Sequence, residues 1–480
     1  MAAAGGGGGD DDFEALLSPR SRAARHSASR HEVAAEHAVR AAAPAPVQLG
    51  RLGGAAHALK WRPAQVLLAE SLDATQLVAP PDAAAVAPPS AAAEARAQDA
   101  RDAAPPTRVG HVSEEERRCV QAQWDKLLAW AAATHGRAAA EDDVLAATSK
   151  VTVLGGGCFG TAMATLLARN KASMDVVLLV RDAATVQAIN ERHCNERYLP
   201  KHQLPPGVRA TTDPATALEG ADYIVHAIPV QQSSSALAAL RHVIAPTTPI
   251  LCLSKGLEIG TCRNMSELIP AALGRKQPLA VLSGPTFAVE LMAGLPTAIV
   301  AASEDVALAL KVQRLFASSN LRVNTSTDVL GVEMAGALKN VLAIAAGIVE
   351  GLQLGNNAMA ALVAQGCSEI RWLAERMGAD PITLSGLSGV GDIMLTCFVN
   401  LSRNRTVGVR LGRGESLEDI LASSTQVAEG VATAASVVIL ARKHRIALPV
   451  LTAVARMVDG VMTPREAVDV LMSLPQIPET

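Results

Sequence analysis

The chain has almost no aromatic bulk: Phe, Trp and Tyr make up 2% of its 480 residues. Its core must therefore be filled by Ala, Val, Leu and Ile, which carry most of the 49% apolar content, a composition that suits helices and buried parallel strands. Cysteine is scarce too. The seven present form no C-x-x-C pair and no Cys/His cluster at zinc-ligand spacing, so neither a structural metal nor a disulfide framework is indicated, and a reducing compartment is the simplest setting. A net charge of −3 gives no electrostatic reason to expect nucleic acid or an anionic membrane as partner. Long apolar runs are missing as well. The longest, Ala335 to Val349, is interrupted by Lys339 and Asn340 and falls short of the roughly 18 to 20 residues needed to span a bilayer. A soluble protein with a small-molecule ligand is the expectation.

Large apolar residues are also thin in residues 1–110, which carry a Gly run, an acidic cluster at Asp10 to Asp12 and then Arg, Ala, Ser and Pro. Such a segment cannot bury enough surface to offset its ordering entropy, and disorder is expected. Within it, Ser18, Arg20, Ser21, Arg22, Arg25, Ser27, Ser29 and Arg30 form an Arg- and Ser-rich run in the manner of organelle transit peptides, although Asp10 to Asp12 and Glu14 depart from their acid-poor composition. Residues 111–150 read as a helix and linker. Ser113 and Glu116 have capping-box spacing, and Val120, Trp124, Leu127, Leu128 and Ala131 recur at helical intervals up to Gly136.

What is present begins at Val151. Val151–Leu154 suits a buried strand, Gly155, Gly157 and Gly160 stand in GxGxxG register, and Thr161 to Asn170 has the content of a packed helix. In that order the glycines allow the tight turn, the approach of a pyrophosphate and the close packing of helix on strand, with the anion on the helix N-terminus. Through residue 330 short apolar runs alternate with helical stretches: Asp175–Val180, Asp222–Ile228, Pro249–Leu253, Leu279–Leu282, Ala298–Ala302 and Leu321–Val323 are the further candidate strands. The alternation predicts a parallel sheet with helices on both faces and ligands at the strands' C-terminal ends. From 331 to 480 the pattern is helical, with Glu333–Leu352, Ala358–Met377, Ser416–Ala422, Val431–His444 and Pro464–Leu471 separated by Gly and Pro.

Several groups could carry chemistry. The second strand ends at Arg181-Asp182; an acidic residue there binds the ribose of NAD, an arginine receives the 2′-phosphate of NADP, and Asp182 also reads as a helix cap. Lys255, after one apolar strand, reads equally as an anion ligand or a solvated loop lysine, and Gly284 to Thr286 after the next reads equally as ligand turn or punctuation. Lys339 says more. It lies in a stretch apolar on nearly every face, where a buried ammonium needs a partner or a depressed pKa and can exchange a proton near neutral pH. Asp392, among glycines, offers a carboxylate able to hold Lys339 charged or fix its direction, and Ser402-Arg403-Asn404 offers a guanidinium fork with hydroxyl and amide donors, suited to a phosphate.

Taken in order, GGGCFGTAMA, SKGLE, SGPTFA, GALKNVLAIAAGI, GDIMLTC, NLSRNRTVG and QVAEGV closely resemble NAD-dependent glycerol-3-phosphate dehydrogenase in its bacterial-type and plastidial forms, from Val151 to the C-terminus. The resemblance implies a Rossmann-type α/β dinucleotide-binding domain followed by an all-helical substrate domain, with Lys339 as proton donor and acceptor at the C2 oxygen. It implies substrate contacts at Lys255, Gly284, Thr286, Asp392, Ser402, Arg403 and Asn404. It implies cofactor contacts at Gly155, Gly157, Cys158, Phe159, Gly160, Arg181, Lys255, Ala288, Arg403, Val427 and Glu429, with NAD as cofactor and NADP left open, and no metal. Cys158 stands where Ser is common in the family. A chloroplast-stroma location, with the cytoplasm as alternative, and a homodimer are what the related enzymes suggest. On the residues alone, a hydroxyacid dehydrogenase of the same two-domain plan and a catalytically silent dinucleotide sensor stay open.

Overall fold

The computed structural model describes residues 113–141, 143–424 and 428–475. The expected transit segment, residues 1–110, lies outside them. Helix α1 (Glu114–Glu141) belongs, as far as Ala140, to a different compact unit from the rest of the described chain. Its capping box is formed: Ser113 N and Oγ donate to the Glu116 carboxylate, and Glu116 N donates to Ser113 Oγ. The helix passes through Gly136 and ends at Glu141, because one glycine costs a helix only about 1 kcal/mol and the residues after it are good helix formers.

The larger unit opens with α2 (Val144–Ala147), β1 (Lys150–Leu154), α3 (Cys158–Asn170), β2 (Asp175–Leu179), α4 (Ala183–Arg192), β3 (Val208–Thr211), α5 (Pro214–Leu218), β4 (Tyr223–His226), α6 (Val230–Leu240), β5 (Ile250–Cys252), α7 (Met265–Leu273) and β6 (Leu279–Ser283). It continues through α8 (Ala288–Met292), β7 (Thr297–Ala302), α9 (Val306–Phe316) and β8 (Leu321–Ser326). These strands form one eight-stranded sheet in the order β3-β2-β1-β4-β5-β6-β7-β8. Successive side chains feed opposite cores: Val176 and Leu178 join one apolar cluster and Val177 the other. Apolar residues on both faces of a strand are what a sheet sandwiched between helices requires. The strand order reverses between β1 and β4, and ligands of doubly wound sheets bind outside such a point.

Two features depart from the sequence expectation. The sheet is not wholly parallel, since β7 runs antiparallel to β6. The link between them holds only the five-residue α8, too little to carry the chain back to the other end of the sheet as a parallel crossover must. The second is β3, a four-residue edge strand in which Val208 and Ala210 are buried while Arg209 is exposed and pairs with Asp175. Its apolar signal was too short to register.

After β8 every described element is helical: α10 (Val329–Gly351), α11 (Gly355–Met377), α12 (Pro381–Leu384), a π-helical turn (Leu387–Gly391), α13 (Asp392–Phe398), α14 (Arg403–Gly412), α15 (Leu417–Ala422), α16 (Glu429–Lys443), α17 (Pro449–Val458) and α18 (Pro464–Ser473). Helix α10 is the axis of this region. Asp328 caps it by accepting from Gly331 N at 2.9 Å, and the helix begins at Val329, four residues ahead of the expected start at Glu333. By length and hydropathy its 23 residues could cross a bilayer, yet they are buried within the protein. Helix α14 crosses α10 at backbone distance: a Cβ on Gly408 would stand 2.9 Å from Gly347 Cα. That glycine-to-glycine approach brings the start of α14 against the middle of α10.

Candidate active site

The C-terminal end of β1 gives way to the glycine loop. Gly155 has φ +103°, and a Cβ there would lie 2.8 Å from Ala227 O, so both the conformation and the space require glycine. Gly157 caps α3 with no side-chain bond, and no atom lies within 4 Å of where its Cβ would stand. Gly160 packs against the sheet, its Cβ position 3.0 Å from Ala227 Cβ. The start of α3 thus has open space beside Gly157, and a helix N-terminus with room beside it fits a dinucleotide pyrophosphate. The Cys158 thiol donates to Tyr198 O at 3.3 Å, so the residue that departs from the family pattern is tied to the loop after α4. Phe159 is half-buried against the sheet core. Arg181 is exposed at the end of β2. Asp182 caps α4, accepting from Ala184 N and Thr185 N at 3.2 Å and Thr185 Oγ1 at 2.7 Å; the threonine hydroxyl and the amides hold its carboxyl below the usual range.

Three strands away from β2, Lys255 leaves the end of β5. Its Nζ donates to Gly284 O at 3.3 Å and to Asp392 Oδ2 at 2.7 Å. Gly284 has φ +145°, with Ile299 Cα 2.9 Å from its Cβ position, and the Thr286 hydroxyl donates to its carbonyl at 3.3 Å. Ala288 opens α8.

Lys339, in the middle of α10, reaches the same carboxylate from the other side. Its Nζ donates to Asp392 Oδ1 at 2.5 Å and to Thr396 Oγ1 at 2.9 Å. Thr396, one turn after Asp392 on α13, donates in turn to Asp392 O at 2.6 Å. Asp392 does not sit on a simple turn; it opens α13 directly from the π-helical turn, which sets its carboxylate between the two ammoniums. Burial pulls the Lys339 pKa down to about 8, assisted by Lys255 and opposed by Asp392. Burial alone would raise Asp392, but the two lysines outweigh it and hold the carboxyl below its ordinary value. Two ammoniums against one carboxylate leave the cluster cationic, as an anionic substrate needs.

The basic stretch after α13 is a helix start, not a loop. Ser402 caps α14, its Oγ accepting from Arg405 N at 3.3 Å, and Arg403 is exposed beside it. Asn404 Nδ2 donates to Asn340 Oδ1 at 2.9 Å, and its Oδ1 accepts from Gly430 N at 2.9 Å, locking α14 to α10 and to the start of α16. Glu429 opens α16. Burial raises its pKa, against the Val230 amide and Arg403, and its Oε2, 3.6 Å from the Cβ position of Gly256, has no partner. Val427 lies outside the described residues. The structure therefore gathers Lys255, Gly284, Thr286, Lys339 and Asp392 into one bonded cluster and ties Asn404 to Asn340 and to Gly430, next to Glu429, while Ser402 caps α14 and Arg181 stands apart. Thr396 and Asn340 were missed by sequence reasoning. Each had a signal, Thr396 lying four residues after Asp392 and Asn340 directly after Lys339.

A family model described as NAD-dependent glycerol-3-phosphate dehydrogenase N-terminus matches residues 150–309, and one described as the C-terminus matches 328–469. The chain belongs to the NAD-dependent glycerol-3-phosphate dehydrogenase family. It is 60% identical over 375 residues to glycerol-3-phosphate dehydrogenase [NAD(+)] 2, chloroplastic, of Arabidopsis thaliana, covering 78% of this chain and 89% of that relative. A glycerol-3-phosphate dehydrogenase [NAD(P)+] of Oleidesulfovibrio alaskensis is 44% identical over 325 residues, 68% of this chain and 98% of its own. Among solved structures, the glycerol-3-phosphate dehydrogenase of Coxiella burnetii is 35% identical with a TM-score of 0.65, over 68% of this chain and 99% of that one. As in the family, NAD is the cofactor of this dehydrogenase, with NADP use within the family's range.

Proposed function

We propose that this dehydrogenase interconverts dihydroxyacetone phosphate and sn-glycerol 3-phosphate, with Lys339 moving the proton at the C2 oxygen. The observation that carries the reading is the buried triangle in which Asp392 accepts from Lys339 at 2.5 Å and from Lys255 at 2.7 Å, beside the Gly284 carbonyl. A lysine whose pKa stands at about 8 gives up and regains a proton near neutral pH, as a reversible carbonyl reduction requires. Asp392 and Thr396 fix the direction of Nζ, so the proton is presented along one line. Lys255 adds charge next to the developing oxyanion. Gly284 and Thr286 line the substrate, and Ser402, Arg403 and Asn404 hold its phosphate, Arg403 by its guanidinium fork.

NAD(H), when bound, supplies or accepts the hydride. Gly155, Gly157, Cys158, Phe159 and Gly160 would hold its pyrophosphate at the start of α3, and Arg181, Lys255, Ala288, Arg403, Val427 and Glu429 complete the contacts. The Asp182 carboxylate is engaged in capping α4, which leaves Arg181 as the charged group at the 2′ position and supports acceptance of NADP. The chloroplastic relative and the Arg- and Ser-rich run in residues 18–30 support a plastid stroma location and a role in supplying glycerol 3-phosphate to glycerolipid synthesis.

The test is NADH oxidation with dihydroxyacetone phosphate, repeated in Lys339→Ala. The variant should lose about a thousandfold in kcat while still binding NADH. Near-normal turnover in it would overturn the assignment.

A further inference from the structure

The loop after α4 is more than a connection. His193 ends the helix in the left-handed conformation at φ 48°. Leu204 N donates to His193 O at 2.8 Å, and Cys194 bridges Gln203, so the loop is closed at its base. Inside it, Asn195 O accepts from Tyr198 N and Leu199 N at 3.2 and 2.8 Å, and the buried Leu199 and Leu204 anchor the turn. The Asn195 side chain is completely buried. Its Nδ2 leaves the loop and donates to Gly156 O at 2.9 Å and to Thr161 Oγ1 at 2.8 Å. The Thr161 hydroxyl closes the triangle by donating to Gly156 O at 3.4 Å.

The glycine run needs such a hold. Gly155, Gly156 and Gly157 are three in a row, with little intrinsic preference for one conformation, and the Gly156–Gly157 peptide could turn over at small cost. A peptide is planar, with its carbonyl and its N–H on opposite sides. Holding the Gly156 carbonyl toward Asn195 and Thr161 therefore points the Gly157 N–H the other way, toward the side of the turn where no atom approaches the Gly157 Cβ position within 4 Å.

We infer that Asn195 is a positioning residue for the dinucleotide: it fixes the Gly156–Gly157 peptide with its N–H aimed at the pyrophosphate. The inference rests on the dinucleotide role of the glycine loop. Asn195 touches no reacting atom, so its effect falls on cofactor affinity and not on the chemical step.

Asn195→Leu keeps the volume and removes the donors. Titrated by NADH fluorescence, it should bind NADH about tenfold more weakly for the two lost hydrogen bonds. KM for NADH should rise in parallel, while kcat at saturating NADH and KM for dihydroxyacetone phosphate stay within about twofold. Thr161→Val, which removes one partner and the second hold on Gly156 O, should shift Kd in the same direction by a smaller factor, and it decides the matter if Asn195→Leu fails to fold. An unchanged Kd in a folded Asn195→Leu, or in Thr161→Val when Asn195→Leu does not fold, overturns the inference; so does a loss of kcat and Tm with KM for NADH intact. Wild-type protein that binds no NADH at all overturns the dinucleotide reading itself and the inference with it.

Discussion

The glycine loop at β1–α3 and the lysine cluster on α10 place chemistry by opposite means. At the loop, side chains are absent: Gly155 is confined by Ala227 O, and Gly157 faces open space. What acts there is backbone amide and helix dipole. On α10 the backbone is used up in an ordinary helix, and what acts is side-chain charge taken out of water. The difference shows what each site can do. A set of amides can hold an anion but cannot change protonation state, whereas a buried ammonium poised near neutrality can. In the proposed function the glycine loop supplies grip on the cofactor, and the helical side supplies proton chemistry and substrate choice.

A second comparison sits inside the helical region. Asp392 and Glu369 are both buried, yet their carboxyls move in opposite directions. Asp392, with two lysines, stays below its ordinary value. Among the described residues Glu369 accepts from Val450 N and Leu451 N at the start of α17 and from Gln365, and burial pushes it up to about 7. Amides soften burial; cations reverse it.

Substitutions that exchange these means should break the comparison in predictable order. The largest effect is the loss of turnover in Lys339→Ala with NADH binding retained. Next is Gly157→Ala. Its backbone, at φ −70° and ψ 176°, accepts any residue, and the added methyl meets no protein atom, so Tm should stay within about 1 °C. On the proposed cofactor site the methyl stands where the pyrophosphate approaches, and NADH affinity should fall by about tenfold or more in a titration. Unchanged affinity would mean that the open space is not the ligand's. The smallest effect is Glu369→Gln. The fold raises this carboxyl from 4.5 to about 7, so it favours the protonated form; the stability that form contributes is present below pH 4.5 and is lost as pH rises through about 7. Removing the ionisable group should make Tm flatter, with a gain over wild type of about 2 °C on going from pH 5 to pH 8, measured by thermal melts at both pH values.

Much of this was legible in the sequence because it rests on local pattern. The strand, glycine turn and helix at Val151–Asn170 are written in residue type and spacing, and Lys339 announced itself as one charge in a stretch with no polar face. Asp182 as a cap was equally readable from its place before a helix. What could not be read depends on where distant segments meet. Nothing local shows that Lys255 and Lys339 share one carboxylate, since Asp392 lies on a third element that a π-helical turn swings between them. The antiparallel β7 followed from how little chain α8 offered, and β3 was too short and too polar for its pattern to register. Asn195 was invisible for the same reason as the lysine triangle: its neighbours in sequence give no sign that its amide reaches back to Gly156.

The most direct test of the account is the pH dependence of kcat/KM for dihydroxyacetone phosphate reduction in wild type and Asp392→Asn, from about pH 6.5 to 9.5. In the proposed mechanism reduction needs the Lys339 ammonium, so the wild-type value should fall as pH rises past about 8, and glycerol 3-phosphate oxidation should rise over the same range. Asp392 favours the ammonium, so removing its charge should move the fall in reduction to lower pH. A profile that is flat across the range, or a midpoint that Asp392→Asn leaves unmoved, would contradict the proton-transfer role of Lys339 and the reason given for its tuning.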